Sequence, residues 1–198
     1  MINTKTLLHL FFLTLCALPA CAAPLLLVQD GASPYTIYLA ADAPSSVKAA
    51  AMDLSLYAKQ ATGAELPVAN EPRSPMVCLG DNASARRAGL ATDGIPLEGF
   101  RIVTRGQDIH ILGPDTDDGA RTSGGGTSTG TRNGVYAFLE RFLGVRWLMP
   151  GEDGDFVPHA PTVSIPETDI TDAPFFLNRR VPYTQESRPE VKTWWARQ

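Results

Sequence analysis

The sequence predicts a two-layer α/β sandwich of the α+β type, in which two main helices cover a mostly antiparallel or mixed sheet. Two stretches carry apolar residues at the spacing of an amphipathic helix, and short strand-like stretches bounded by turn residues lie around them. Because each helix and each sheet must bury one apolar face, packing the two layers together satisfies both.

The first predicted helix covers residues 45–62 and ends at Gly63. Its apolar stripe is formed by Val47, Ala50, Ala51, Leu54, Ala58 and Ala61. A short helix is also expected over residues 82–90, with Asn82 as its N-terminal cap.

The second main helix begins near Gly130. Its apolar residues recur at i, i+3, i+4 and i+7, which is the pattern of a helix that covers a core. These residues are Val135, Phe138, Leu139 and Phe142. Gly144 is expected to end the helix in a left-handed conformation, and residues 145–149 then read as a short strand.

The remaining strands are predicted from short apolar runs and from alternation. Two of them form a hairpin around residues 105–107, because alternating stretches flank a turn there. Besides residues 145–149, the predicted strands are 25–29, 35–39, 76–79, 100–104 and 108–112.

Length and composition limit the classes of protein. With 198 residues, 44% hydrophobic and 19% charged, the chain can form one globular domain and a fragment of a second. We expect the first domain over residues 24–165. Residues 166–198 would form a linker and the first strand of a truncated (β/α)8 barrel, since a whole barrel needs about 250 residues. The net charge of −4 gives no reason to expect nucleic-acid binding.

Residues 1–23 are predicted to be a signal peptide. Lys5 precedes an apolar run over 7–18, and small residues follow it. The run is shorter than the ~20 residues of a membrane-spanning helix. Two forms of processing stay open: lipidation of Cys21, as in a bacterial lipoprotein, or cleavage after Ala22, which would release a soluble protein. We therefore expect a periplasmic, outer-membrane or extracellular location in a bacterium.

The cysteines and histidines predict no metal site, and no cofactor is expected. Cys16 lies in the signal peptide, and Cys78 lies in an apolar run that favours a small buried side chain. His110 and His159 have no ligand spacing between them.

Two loops superficially fit binding motifs. The glycine-rich loop 125–131 matches the spacing of a phosphate-binding loop but lacks its lysine. The aspartates at 115, 117 and 118 invite a calcium interpretation, but a calcium loop beginning at Asp115 would need glycine and glutamate where Ala120 and Gly126 stand. We interpret both as surface loops.

No catalytic residue is predicted. Glycoside hydrolysis needs two facing carboxylates, and Glu152, Asp153 and Asp155 crowd a single loop that would not hold them in that way. Glu140 lies on the polar side of its helix, where a charged residue is common.

Two stretches resemble a known family. Residues 130–152 read G-T-x-x-G-V-Y-x-F-L-E-x-x-L-G-V-R-W-x-x-P-G-E, and residues 62–68 read T-G-A-x-L-P-V. Both are similar to the N-terminal accessory domain of family 67 alpha-glucuronidases and, more distantly, to that of family 20 beta-hexosaminidases. The resemblance extends over about residues 35–160.

The resemblance implies a domain that packs beside a catalytic barrel and carries no catalytic carboxylates itself. In those families an arginine five residues after the proline that opens the first barrel strand lies in the sugar pocket. Counting from Pro174 places Arg179 at that position, with Arg180 beside it. Trp194 and Trp195 are candidates for a sugar-stacking wall.

The expected function is that of a non-catalytic accessory domain of an exported glycoside-hydrolase-like protein in polysaccharide breakdown. Its partner would be a polysaccharide or oligosaccharide, reached through an associated barrel, and a lipid on Cys21 would attach it to a membrane. Two alternatives stay open: a stand-alone carbohydrate-binding or surface-interaction module, and a truncated piece of an active glycosidase. The sequence leaves open whether the chain is an enzyme.

Overall fold

The computed structural model describes residues 23–175 and 188–197. Within these residues the main helices are α1 (Ser45–Thr62), α2 (Ala83–Arg87), α3 (Gly130–Phe138) and α4 (Pro189–Trp195). The strands are β1 (Leu25–Val28), β2 (Thr36–Leu39), β3 (Val68–Ala69), β4 (Met76–Leu79), β5 (Phe100–Arg105), β6 (Asp108–Leu112), β7 (Arg146–Trp147), β8 (Asp155–Phe156), β9 (Val163–Ile165) and β10 (Asp169–Asp172).

A six-stranded mixed sheet is the centre of the fold, with the strand order β10-β5-β6-β4-β2-β3. Strands β10, β5 and β6 pair antiparallel, whereas β6, β4, β2 and β3 pair parallel. The α1 helix connects β2 to its parallel neighbours, as parallel pairing requires a crossover. The predicted α+β class with a mixed sheet and two main helices is confirmed.

The sheet continues past the predicted domain limit at residue 165. Strand β10 pairs with β5 in register, so that Ile170 lies opposite Ile102. Residues 169–172, which the sequence analysis assigned to a linker, therefore form one edge of the central sheet. Strand β1 pairs with β9, and β7 with β8, in two further small sheets.

Helices α1 and α3 pack against each other and against the sheet, and their apolar faces form the main core. The predicted stripe of α1 is buried throughout. On α3, the close contact depends on glycine: a Cβ at Gly134 would lie 2.7 Å from Ile111 Cγ2. At Gly130 it would lie 2.2 Å from the carbonyl oxygen of Gly99. The conspicuous glycines of the G-T-x-x-G pattern thus allow the helix to approach the sheet.

The end of α3 differs from a regular helix. Residues Leu139–Leu143 form a π-helical turn, and Gly144 closes it with a φ of 74° while its N–H donates to Leu139 O. Left-handed termination at Gly144 is thus confirmed. The strand that follows is shorter than predicted, because Leu148 and Met149 are exposed and only Arg146–Trp147 pairs.

Helix α2 packs at a smaller apolar cluster of Ala85, Leu90, Val103 and Leu112. The Asn82 side chain caps α2 by accepting hydrogen bonds from the Ser84 and Ala85 N–H groups, as predicted. No helix in the described part of the chain is both long and apolar enough to cross a membrane.

Candidate functional site

A half-open cleft of about 680 Å³ lies between the polar side of α3 and the C-terminal helix α4. The α3 side contributes Arg132, Asn133 and Glu140, and α4 with the short segment after it contributes Trp195 and Arg197. The same helix that covers the core with its apolar stripe therefore presents its polar stripe to this cleft.

Helix α4 is fixed against the domain by an aromatic and cationic cluster. The Trp194 indole Nε1 donates to the Trp147 carbonyl oxygen at 3.0 Å. The Arg197 guanidinium lies 5.4 Å from the centre of the Tyr57 ring and 5.8 Å from that of Trp147, and it pairs with Asp155 at 3.3 Å. Cation–π contact and ion pairing together hold one wall of the cleft.

Two buried tyrosines pack against Trp147 in this cluster. Tyr57 and Tyr136 each contact the Trp147 ring edge-on, at centroid distances of 5.5 and 5.2 Å. The Tyr57 hydroxyl donates to Asp155 Oδ2 at 2.5 Å, and the Tyr136 hydroxyl donates to Asp53 Oδ2 at 2.8 Å. Burial, followed by the hydrogen bond to Asp155, raises the pKa of Tyr57 to about 12. Burial and the Asp53 charge also raise the pKa of Tyr136, so both phenols stay protonated at neutral pH.

The cleft is lined by three arginines and three carboxylates, and one pair of them forms an ion pair. Arg141 pairs with Asp172 at 3.2 Å. Glu98 accepts hydrogen bonds from the Thr129 N–H and the Asn133 amide, both at 3.1 Å. These contacts connect the loop before β5 to the start of α3.

Each of two arginines that line the cleft has a buried nitrogen. The Nε atoms of Arg132 and Arg197 are buried and have no hydrogen-bond partner among the described residues. Arg132 donates through Nη2 to Thr129 Oγ1 at 3.1 Å, so part of its guanidinium is held in place. A buried donor without a partner is uncommon in folded proteins.

Among the carboxylate candidates, Asp155 has side-chain partners and Glu140 lies in the cleft. Asp155 is bound by Tyr57 and Arg197, and Glu140 lines the cleft. Asp153 is exposed on its loop. Asp155 thus contributes to the attachment of α4.

The aspartates of the 115–118 loop contact different helices. Asp115 accepts a hydrogen bond from the Thr131 N–H at the start of α3, whereas Asp118 accepts from Ser45 at the start of α1. Burial raises the pKa of Asp115 to about 6. No group of three or more potential metal ligands occurs within residues 23–175 and 188–197.

Backbone N–H groups of the glycine-rich loop 125–131 donate to acceptors of the protein itself. The Gly130 N–H donates to the Pro114 carbonyl oxygen at 3.1 Å, and the Thr131 N–H donates to Asp115. These amides point to protein acceptors, which argues against a phosphate cradle at the start of α3.

The structure places only some of the residues that the sequence singled out. Arg179 and Cys21 lie outside the described residues, so their sugar-binding and lipidation roles stay predictions. Trp195 lines the cleft and Trp194 anchors α4. Sequence reasoning missed Arg132 and Arg197. A polar residue on the outer side of an amphipathic helix, such as Arg132, has no distinguishing pattern, and Arg197 follows a helix that the sequence did not predict.

The fold is similar to part of a known glycoside hydrolase. It matches a family GH115 4-O-methyl-alpha-glucuronidase with specificity for decorated arabinogalactans at a TM-score of 0.52 and 15% identity, over 76% of this chain and 18% of that chain. The expected resemblance to an alpha-glucuronidase is confirmed at the level of the fold, although the matched enzyme belongs to family 115 and the sequence pattern indicated family 67.

Two further matches are family GH20 enzymes. One is a beta-N-acetylhexosaminidase from Streptomyces coelicolor, with a TM-score of 0.48 and 15% identity over 78% of this chain and 24% of that chain. The other is an exo beta-N-acetylglucosaminidase from Vibrio harveyi, with a TM-score of 0.40 and 15% identity over 78% of this chain and 17% of that chain. The chain thus spans less than a quarter of the length of these enzymes. No protein-family model matches the chain, and no curated protein matches it significantly.

Proposed function

We propose that this chain is a non-catalytic accessory domain of an exported glycoside-hydrolase-like protein that acts in polysaccharide breakdown. The observation that carries the proposal is the fold match to the family GH115 alpha-glucuronidase, which uses 76% of this chain but 18% of that enzyme. Most of that enzyme therefore lies outside the matched part, and we place the catalytic residues of this system in a separate barrel.

The contacts of the site support a non-catalytic role. Asp155 is held by Tyr57 and Arg197, and the phenol of Tyr57 stays protonated near neutral pH. A general acid or base must instead change its protonation state near the working pH. The core contacts of α3 also support a scaffold function, since the glycines of its motif serve close packing.

The catalytic part of this proposal is tested by incubating the purified chain with aryl-glycosides and glucuronoxylan fragments. We expect no turnover. Turnover that is lost on substitution of a residue within 24–165, for example Glu140→Gln, would overturn the proposal, provided that the variant unfolds at the same temperature as the wild type. Arg73→Ala on an exposed loop serves as a matched control.

Export is part of the same proposal and rests on residues 1–23. Mass spectrometry of the mature protein distinguishes a lipidated N-terminal Cys21 from a soluble form that begins at Ala23. An N-terminus that still contains residues 1–20 would contradict export.

A further inference from the structure

Helix α4 is attached to the rest of the domain through a small number of side chains. The Trp194 indole donates to the Trp147 carbonyl oxygen at 3.0 Å. The Arg197 guanidinium lies on the rings of Tyr57 and Trp147, and it pairs with Asp155. The backbone hydrogen bonds that the structure describes for α4 all stay within the helix and the residues that flank it. Main-chain pairing therefore does not join α4 to the described part of the domain.

Strand β10, by comparison, is joined to the domain through its backbone. Its residues Asp169–Asp172 pair with β5 in an unbroken register. Helix α4 has only seven residues, and an isolated helix of that length is not stable in water. The order of α4 thus depends on the contacts of Trp194 and Arg197.

Most side chains of α4 lie outside the core. Val191 is the one residue of this helix that is buried, and Trp194 is a partly buried residue at the edge of the main core. Lys192, Thr193 and Trp195 are exposed. A unit with few buried contacts opens at a lower free energy than the core of its domain. Detachment of α4 should therefore cost less than unfolding of the central sheet.

Helix α4 and the segment after it also form a wall of two clefts. The first is the cleft against α3, which Trp195 and Arg197 line. The second has a volume of about 640 Å³, lies between α4 and α1, and is lined by Leu56 and Met149 together with Trp194. Both clefts lose this wall when α4 detaches.

We propose that α4 is a releasable strap, which detaches from the folded domain as a unit and uncovers a surface formed by Tyr57, Trp147 and Asp155. Aromatic rings beside a carboxylate fit a cationic group, and Arg197 fills this place while the strap is docked. The strap thus keeps other guanidinium groups away from the surface. The inference does not rest on the accessory role proposed above, because it uses only the contacts of α4.

Hydrogen exchange of the wild-type chain at low urea concentrations tests the release. The Trp194 indole N–H exchanges only while its bond to the Trp147 carbonyl is open. We expect its rate to be nearly independent of urea, because release of α4 exposes little surface. The amides of β6, which pairs on both sides, should exchange much faster as urea rises. Equal urea dependence of the two would overturn the proposal, since α4 would then detach only when the whole domain unfolds.

A variant tests whether α4 detaches as a unit. Arg197→Ala leaves the hydrogen bond of Trp194 in place, so it changes the indole exchange only if the two contacts open together. We expect about tenfold faster exchange of the indole and unchanged exchange of the β6 amides. Arg188→Ala is the matched control and should change neither rate, since the ion-pair partner of Arg188 is Glu190 on the same helix.

Two outcomes of these variants would overturn the proposal. Indole exchange at the wild-type rate in Arg197→Ala would show that the two contacts open separately. Equal acceleration of the indole and of the β6 amides would show that Arg197 stabilises the whole domain.

The uncovered surface is tested with N-acetyl-argininamide, and N-acetyl-citrullinamide serves as a neutral probe of nearly the same shape. At millimolar concentrations the arginine probe should shift the Trp147 indole signal of Arg197→Ala, and it should shift that of the wild type less, because Arg197 holds the surface there. The citrulline probe should shift neither. Equal shifts with both probes, or none with the arginine probe in Arg197→Ala, would contradict a surface that selects a cation.

Discussion

The hydroxyl of Tyr57 donates a hydrogen bond to Asp155 Oδ2 at 2.5 Å and thereby joins helix α1 to strand β8. Asp155 also pairs with Arg197 at 3.3 Å. One carboxylate therefore connects three parts of the chain that are distant in sequence: the first main helix, the small β7–β8 sheet and the C-terminal helix. This arrangement makes the Tyr57 hydroxyl a measurable part of the stability of the fold.

We expect Tyr57→Phe to lower the free energy of unfolding by about 1–2 kcal/mol, because a hydrogen bond to a charged acceptor is lost while the buried ring remains. Urea unfolding measures the change. Tyr38→Phe is the matched control, since Tyr38 is also buried but its hydroxyl has no hydrogen bond among the described residues. Equal losses in both variants would show that the contact to Asp155 contributes nothing specific.

Gly134→Ala should also destabilise the fold, although alanine is the better helix former. The new Cβ would lie 2.7 Å from Ile111 Cγ2 and 3.0 Å from Phe100 Cβ, and both atoms are held close to their own backbones. Overpacking of this kind costs about 1–3 kcal/mol, which outweighs the gain of about 1 kcal/mol in helix propensity.

Thermal unfolding of Gly134→Ala beside Gly124→Ala tests this expectation. A Cβ at Gly124 would meet only Thr122 Oγ1 at 4.0 Å, so that variant should unfold at nearly the wild-type temperature. A Gly134→Ala protein more stable than the wild type would show that α3 can move away from the sheet without loss.

Deprotonation of Asp115 should lower the free energy of unfolding as the pH rises. Burial raises its pKa from 3.8 to about 6, so the folded state binds a proton that the unfolded state releases between these two values. The stabilisation is present below pH 3.8 and is lost as the pH rises to about 6. Asp115→Asn keeps an oxygen that can accept from the Thr131 N–H, and it removes the titration.

We therefore expect Asp115→Asn to be more stable than the wild type above pH 6, by an amount on the order of 1 kcal/mol, and to differ less from it below pH 3.8. Urea unfolding across this range measures the difference. Asp117→Asn, on the exposed part of the same loop, is the control and should leave the pH dependence unchanged.

Sequence reasoning predicted α1, α2, α3 and most strands, but it missed α4. The two main helices were predictable because their apolar residues follow a strict period. Helix α1 has the predicted limits, and the position of Gly144 was clear from its place after an apolar stripe. The pairing of β10 with β5 could not be predicted, since strand order depends on contacts between distant residues such as Ile170 and Ile102. The cleft was missed for the same reason: Arg132 and Arg197 line one cleft only when α4 is docked on Trp147.

His110 should produce the opposite pH dependence from Asp115. It is 2% exposed on β6, in register with Cys78 on one side and Val103 on the other, and its Nδ1 has no partner among the described residues. Burial lowers its pKa below 6.5, and the nearby Asp108 offsets this only in part. As the pH falls, the unfolded state therefore binds the proton before the folded state does. The contribution of the neutral ring to the free energy of unfolding is fully present above pH 6.5 and is lost as the pH falls through the lowered pKa of the folded state.

Replacement of His110 by leucine removes both the titrating ring and the unpaired nitrogen, and the side chain keeps a similar size. We expect His110→Leu to be more stable than the wild type below pH 6.5, by about 1 kcal/mol, and the difference to shrink as the pH rises above that value. His159→Leu, in an exposed loop, is the matched control in the same urea titrations. If the difference between His110→Leu and the wild type did not change with pH, the ring would titrate alike in the folded and unfolded chains, and burial on β6 would have no effect on its charge.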